Sequence, residues 1–99
     1  MKSAKVLGRF IDDSGTLLEG PISFIPSRMW ITQDDGVTVA ALAHETQLVR
    51  GAFNVELTRT DQHELPWHYT VICPVGKWTI RVEDDGPLFL KDLLPSRFA

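Results

Sequence analysis

The chain has 99 residues, of which 43% are hydrophobic and 23% charged, and a formal net charge of −3. That length suits one domain, and that balance belongs to a folded globule and not to a disordered segment. Basic and acidic residues are interspersed, which argues against electrostatic binding to nucleic acid or anionic membrane, and the single cysteine, Cys73, excludes an intrachain disulfide.

The N-terminal run Met1 to Phe10 has no apolar stretch long enough for a signal peptide, and no window reaches the length of a membrane span. The expectation is a complete small polypeptide made in a cytosol. Strand-like sequence begins almost at once. Lys5 to Asp12 is the first candidate strand, with Val6 and Phe10 on one face and Gly8 between them. A glycine inside a strand marks a bulge or a close approach. Asp12-Asp13-Ser14-Gly15-Thr16 predicts a turn, because Asp and Ser side chains bond the local backbone and glycine takes positive φ. Gly20-Pro21 opens a second strand through Ile22, Phe24 and Ile25, closed by Pro26; prolines there suit an edge or a strand boundary.

Ser27 to Thr32 admits two readings, a short strand or a loop carrying an exposed Trp30. Gln33-Asp34-Asp35-Gly36 is a turn, and Val37 to Leu42 alternates Val37, Val39 and Ala41 against Thr38, Ala40 and Leu42. Ala43 to Thr46 reads as a polar link and Gln47 to Arg50 as a further strand. Arg50-Gly51 then turns into the cleanest region. Phe53, Val55 and Leu57 alternate with polar residues; so do Trp67, Tyr69, Val71 and Cys73, and Trp78, Ile80 and Val82. A period of two buries one face of each strand. Thr58 to Pro66 has the length of a crossover between two sheets, with room for a helical turn around Asp61 to Glu64, and Pro74-Val75-Gly76 predicts a tight hairpin. Leu88 to Leu90 follows a last turn, and the end is apolar at Leu93, Leu94 and Phe98.

The pattern predicts one all-β domain over residues 1–99, an antiparallel sandwich of about seven or eight short strands. Its expected core is Val6, Phe10, Ile22, Phe24, Val39, Phe53, Val55, Leu57, Trp67, Tyr69, Val71, Trp78, Ile80 and Val82.

Candidate chemistry is sparse. His63 and His68 lie near Asp61 and Glu64, but their spacing follows no established zinc pattern. Asp34-Asp35-Gly36 and Asp84-Asp85-Gly86 read as turns and not as calcium loops, since neither continues into an oxygen-rich segment. No serine sits in a nucleophile elbow, and no glycine-rich phosphate cradle is present. The reading therefore expects no catalytic residues, no cofactor and no metal. Met29, Trp30 and Ile31, together with Leu93, Leu94 and Phe98, fall outside the clean alternation and are the candidate interface residues, with Trp30 and Phe98 as anchors.

The run Gly8 to Pro26 follows a pattern of Gly8, Phe10, Asp12, Gly15, Gly20, Ile22, Phe24 and Pro26. It is followed by Gly51-Ala52-Phe53-Asn54-Val55-Glu56-Leu57, Thr60-Asp61, Trp67-His68-Tyr69-Thr70-Val71 and Leu90-Lys91-Asp92-Leu93-Leu94-Pro95. This succession resembles small β-sandwich domains in minor tail, fibre and decoration proteins of bacteriophages, notably those of actinobacteria. Their opening is similar to transthyretin-like and carboxypeptidase-regulatory-like modules. The resemblance implies a transthyretin-like or Ig-like sandwich and a non-enzymatic virion protein, made in the host cytoplasm and bound in multiple copies to other virion proteins. It leaves both the tail tip and the capsid surface open as locations. A carbohydrate- or ligand-binding module, with a host-surface glycan as partner, is the rival reading.

Overall fold

The computed structural model describes residues 3–32, 38–61 and 67–93. Nine strands and one short helix occur among them: β1 (Ser3–Arg9), β2 (Gly20–Pro26), β3 (Trp30–Thr32), β4 (Thr38–Ala40), β5 (His44–Leu48), β6 (Ala52–Thr58), β7 (Tyr69–Cys73), β8 (Gly76–Ile80), β9 (Leu88–Phe89) and α1 (Leu90–Leu93). One sheet has the order β6-β1-β9 and the other β5-β2-β7-β8, while β3 and β4 form a separate two-stranded ribbon. The chain is thus mostly β, with two main sheets over a shared hydrophobic cluster, an arrangement compatible with a sandwich.

The alternating strands behave as their period requires. Ala4 and Val6 of β1, Ile22 and Phe24 of β2, Phe53 and Leu57 of β6, and Tyr69 and Val71 of β7 are buried. Trp67, Ile80 and Val82 join them, as do Leu48 and Leu90. Phe10, Val55 and Trp78 are half-buried against this cluster, so the expected core holds them only at its margin. The side chain of Val39 lies outside the described residues, as do the turn expected at Gln33–Gly36 and the helical turn expected toward Glu64.

Four expectations are corrected. The first strand runs Ser3–Arg9 and not Lys5–Asp12: Phe10 N–H still donates to Gly51 O at 2.7 Å, but its carbonyl accepts from Leu18 N–H, and Ile11 and Asp12 belong to the turn that brings Leu17 back. The polar link expected at Ala43–Thr46 is the body of β5, whose backbone pairs with β2 from Gly20↔Leu48 to Phe24↔His44. Backbone pairing needs no apolar side chains, which is why composition hid it. The sheets are not wholly antiparallel, since β9 pairs with β1 in parallel, Val6↔Leu88 and Leu7↔Phe89. Leu90, expected in that last strand, opens α1. The crossover reading of the link after Thr58 agrees with the topology, for β6 and β7 belong to different sheets.

The prolines of β2 stand at its two ends, although the strand is interior. The turn between β5 and β6 is Arg50-Gly51, with φ of 54° and 79°, and Val49 and Ala52 exchange backbone hydrogen bonds across it at 2.8 and 3.0 Å. Two successive positive φ values define the tight hairpin whose twist matches that of strands. Here it carries the chain from one sheet to the other.

Gly8 explains how the sheets close on one another. Register sets it opposite Phe53. A side chain on Gly8 would strike the Phe53 ring, with Cζ only 2.9 Å from the Cβ position and Leu90 Cβ at 3.3 Å. The ring of Phe53 therefore rests on bare backbone. From there it stacks on Phe10 at 6.2 Å and meets Phe24 of the opposite sheet at 5.6 Å. Phe10 in turn meets Trp78 at 6.3 Å.

Phe53→Ala is expected to lower stability by about 3–5 kcal/mol, and Trp78→Ala by less because that ring is half exposed. Gly8→Ala should cost about 1–3 kcal/mol by overpacking. Urea titration monitored by tryptophan fluorescence checks all three; an unchanged midpoint for Gly8→Ala would refute the close approach.

Candidate interaction surface

The candidate interface residues separate in the structure. Trp30 is 58% exposed and Met29 70% exposed. Ile31 lies in β3, but its side chain is outside the described residues, as are Leu94 and Phe98 entirely. Leu93 is half-buried and packs against the core cluster from α1.

The β3–β4 ribbon shows why Trp30 stays outside. Its register is Trp30↔Ala40, Ile31↔Val39 and Thr32↔Thr38, and Ala41 N–H donates to Met29 O at 2.9 Å, continuing the ladder by one step. Cross-strand partners share a face. Trp30 and Ala40 are therefore on one face, and Leu42, two residues beyond Ala40, returns to it. Leu42 is 67% exposed. Ala41, on the other face, packs against the core cluster. The ribbon is thus anchored by one face and presents Trp30 and Leu42 on the other, with Met29 beside them and Arg28 exposed next in sequence. The ribbon pairs with neither main sheet. Leu42 was missing from the expected interface. The available signal was a leucine on the otherwise small and polar face of an alternating strand.

The remaining polar groups mostly secure turns and strand ends. Asp12 Oδ1 accepts from Ser14 Oγ at 2.7 Å and from the backbone N–H groups of Ser14 and Thr16, each at 2.9 Å. These hydrogen bonds, the Ser14 hydroxyl foremost, hold the Asp12 carboxyl below its ordinary pKa. Gly15 completes the turn at φ 87°.

Three consecutive residues after the middle of β6 reach the other sheet's strands or the segment beyond β8. Thr58 N–H donates to the Tyr69 hydroxyl at 3.2 Å. Arg59 forms a two-pronged pair with Asp61, at 2.7 and 3.1 Å, and also meets Asp85 and the Glu83 carbonyl. The Asp61 carboxylate, and then Asp85, favour the charged guanidinium. Thr60 is buried; its N–H donates to Val82 O at 2.8 Å and its Oγ1 accepts from Val82 N–H at 3.1 Å. This clasp is structural in character, since its hydrogen bonds join segments of the same chain, although the Asp85 side chain stays largely exposed.

His68 is half-buried, and its backbone N–H donates to Ser27 Oγ at 3.0 Å; His63 lies outside the described residues. Cys73 is half-buried at the core margin. Among the described residues no group of three or more His, Cys, Asp or Glu side chains is placed to hold a metal, and no helix is long and apolar enough to cross a membrane.

No family model, no curated protein and no solved structure matches the chain.

Burial pushes the Tyr69 phenol above its ordinary pKa. The folded state thus favours the neutral phenol, so this contribution is complete below about pH 10 and is lost as pH rises through the folded value. Asp12 has the opposite sign: its contribution is present above about pH 4 and is lost as pH falls through the depressed folded value. Thermal melts across pH should show an alkaline fall that Tyr69→Phe weakens and an acid fall that Asp12→Asn weakens. Thr60→Val should cost about 1–3 kcal/mol by leaving the buried Val82 N–H without its acceptor, whereas Thr60→Ser should cost less. Equal losses for the two Thr60 variants in urea would contradict this.

Proposed function

We propose that this chain is a non-enzymatic structural subunit of a bacteriophage virion that binds neighbouring virion proteins through the exposed face of the β3–β4 ribbon. The observation that carries the assembly part is the placement of Trp30 and Leu42 on one exposed face of a ribbon whose other face is anchored to the core. Tryptophan is the side chain most often found to dominate binding energy, and an exposed apolar cluster beside charge marks an interface. The virion part rests on the ordered motifs from Gly8 to Pro95 and their resemblance to phage tail, fibre and decoration domains. The same reading takes the body as a transthyretin-like or Ig-like sandwich, in which two sheets face one core and β9 is an addition at the edge. A minor tail or tail-tip position is the first assignment and capsid decoration the second.

One observation also favours a glycan-binding role. Trp30 is an exposed aromatic beside exposed Ser27 and Arg28, a stacking surface next to hydrogen-bonding groups.

Mass spectrometry of purified virions should detect the chain in multiple copies; its absence overturns the assignment. Trp30→Ala should weaken attachment to the particle by about 2 kcal/mol or more, roughly thirtyfold in affinity, with the fold intact by circular dichroism. Saturable binding on a glycan array that Trp30→Ala abolishes, with no particle attachment, would instead establish the glycan-binding role.

A further inference from the structure

A second apolar surface lies on a different part of the molecule. β9 covers β1 only at Val6 and Leu7, and the chain then turns into α1. Beyond Leu7, that side of β1 opens onto a groove of about 540 Å³. Leu7, Phe10, Phe53 and Phe89 form its apolar walls, and Arg9 and Lys91 line it from β1 and α1. Ala52 and Leu90 add to the apolar lining, and no carboxylate lines it among the described residues.

That combination is selective. The volume falls within the range of about 300–1,000 Å³ typical of small-ligand sites. Arg9 and Lys91 give the groove positive charge on two of its lining elements, and an anionic head there gains charge-assisted hydrogen bonds. The apolar walls require a body without polar groups, since those would lose water without finding partners. We propose that the groove binds a small amphipathic anion, an alkyl chain ending in one carboxylate. This inference is independent of the ribbon and of whatever the ribbon attaches to.

The test is calorimetric titration of the full chain with decanoate, decanol and decyltrimethylammonium, with amide chemical shifts to locate the site. Decanoate should bind saturably and one to one, shifting the amides of Gly8, Phe53 and Phe89. Decanol should bind at least about tenfold more weakly, and the ammonium weaker still. The double variant Arg9→Gln with Lys91→Gln changes only exposed side chains; it should keep its circular dichroism spectrum and lose at least about tenfold in decanoate affinity. Trp30→Ala should leave decanoate binding unchanged, which separates this site from the ribbon. Failure to bind decanoate, equal binding of decanol, or an unaltered affinity in the double variant overturns the proposal.

Discussion

The fold depends on the absence of a single carbon atom. With nothing but hydrogen on Gly8, the Phe53 ring lies against the β1 backbone and still reaches Phe24 on the facing sheet. Cross-strand register fixes that pairing, and a slip of one residue would turn Phe53 away from the core. The contact therefore ties together the β1–β6 register and the approach of the two sheets. Phe10 and Trp78 extend the aromatic contacts to the core margin, where half-buried rings shield the tighter centre.

The other end of β6 is held by polar contacts. Thr58, Arg59 and Thr60 each bond to β7 or to the segment after β8. Thr60 is the only buried polar residue among the described ones, and both of its backbone-facing groups are satisfied by Val82. Net contributions of such bonds are about 1 kcal/mol each, but an unsatisfied buried partner costs more, so they act chiefly to specify one arrangement. The chain has no disulfide to do this, and β6 thus carries an apolar lock near its start and a polar one just past its end.

Much of this was legible in the residues. The alternation of Phe53, Leu57, Tyr69, Val71, Ile80 and Val82 located the core because a period of two leaves few other ways to bury those side chains. Gly8 was legible as a close approach, though not its partner, because the partner is set by register. β5 was legible only at its end, Gln47 and Leu48, because its first residues are polar; β9 was legible as a short strand, but its parallel pairing was not, since that has no local signature. Thr60 sits in a polar run and gives no hint of burial. For the candidate surface, Trp30 stood out by its neighbours, but its exposure followed only from a ribbon that pairs with itself. Leu93 resembled an interface residue because the apolar C-terminal run ignores the strand period, yet it packs partly on the core from a helical turn.

The ribbon's geometry also bears on why an exposed tryptophan is sustained there. A two-stranded ribbon with three paired positions gains little from its own ladder, and isolated hairpins are marginal in water. In the main sheets each strand is supported by packing on its buried face. Among the described side chains of the ribbon and its continuation, Ala41 supplies that support, on the face opposite Trp30. A partner seated on Trp30 and Leu42, as proposed, would add support on the exposed face, and attachment and ordering of the ribbon would then be one equilibrium. Binding energy at this surface would then be divided between contact and the stiffening of the ribbon, and a substitution at Ala41 that loosens the anchored face should weaken the proposed attachment without touching the partner.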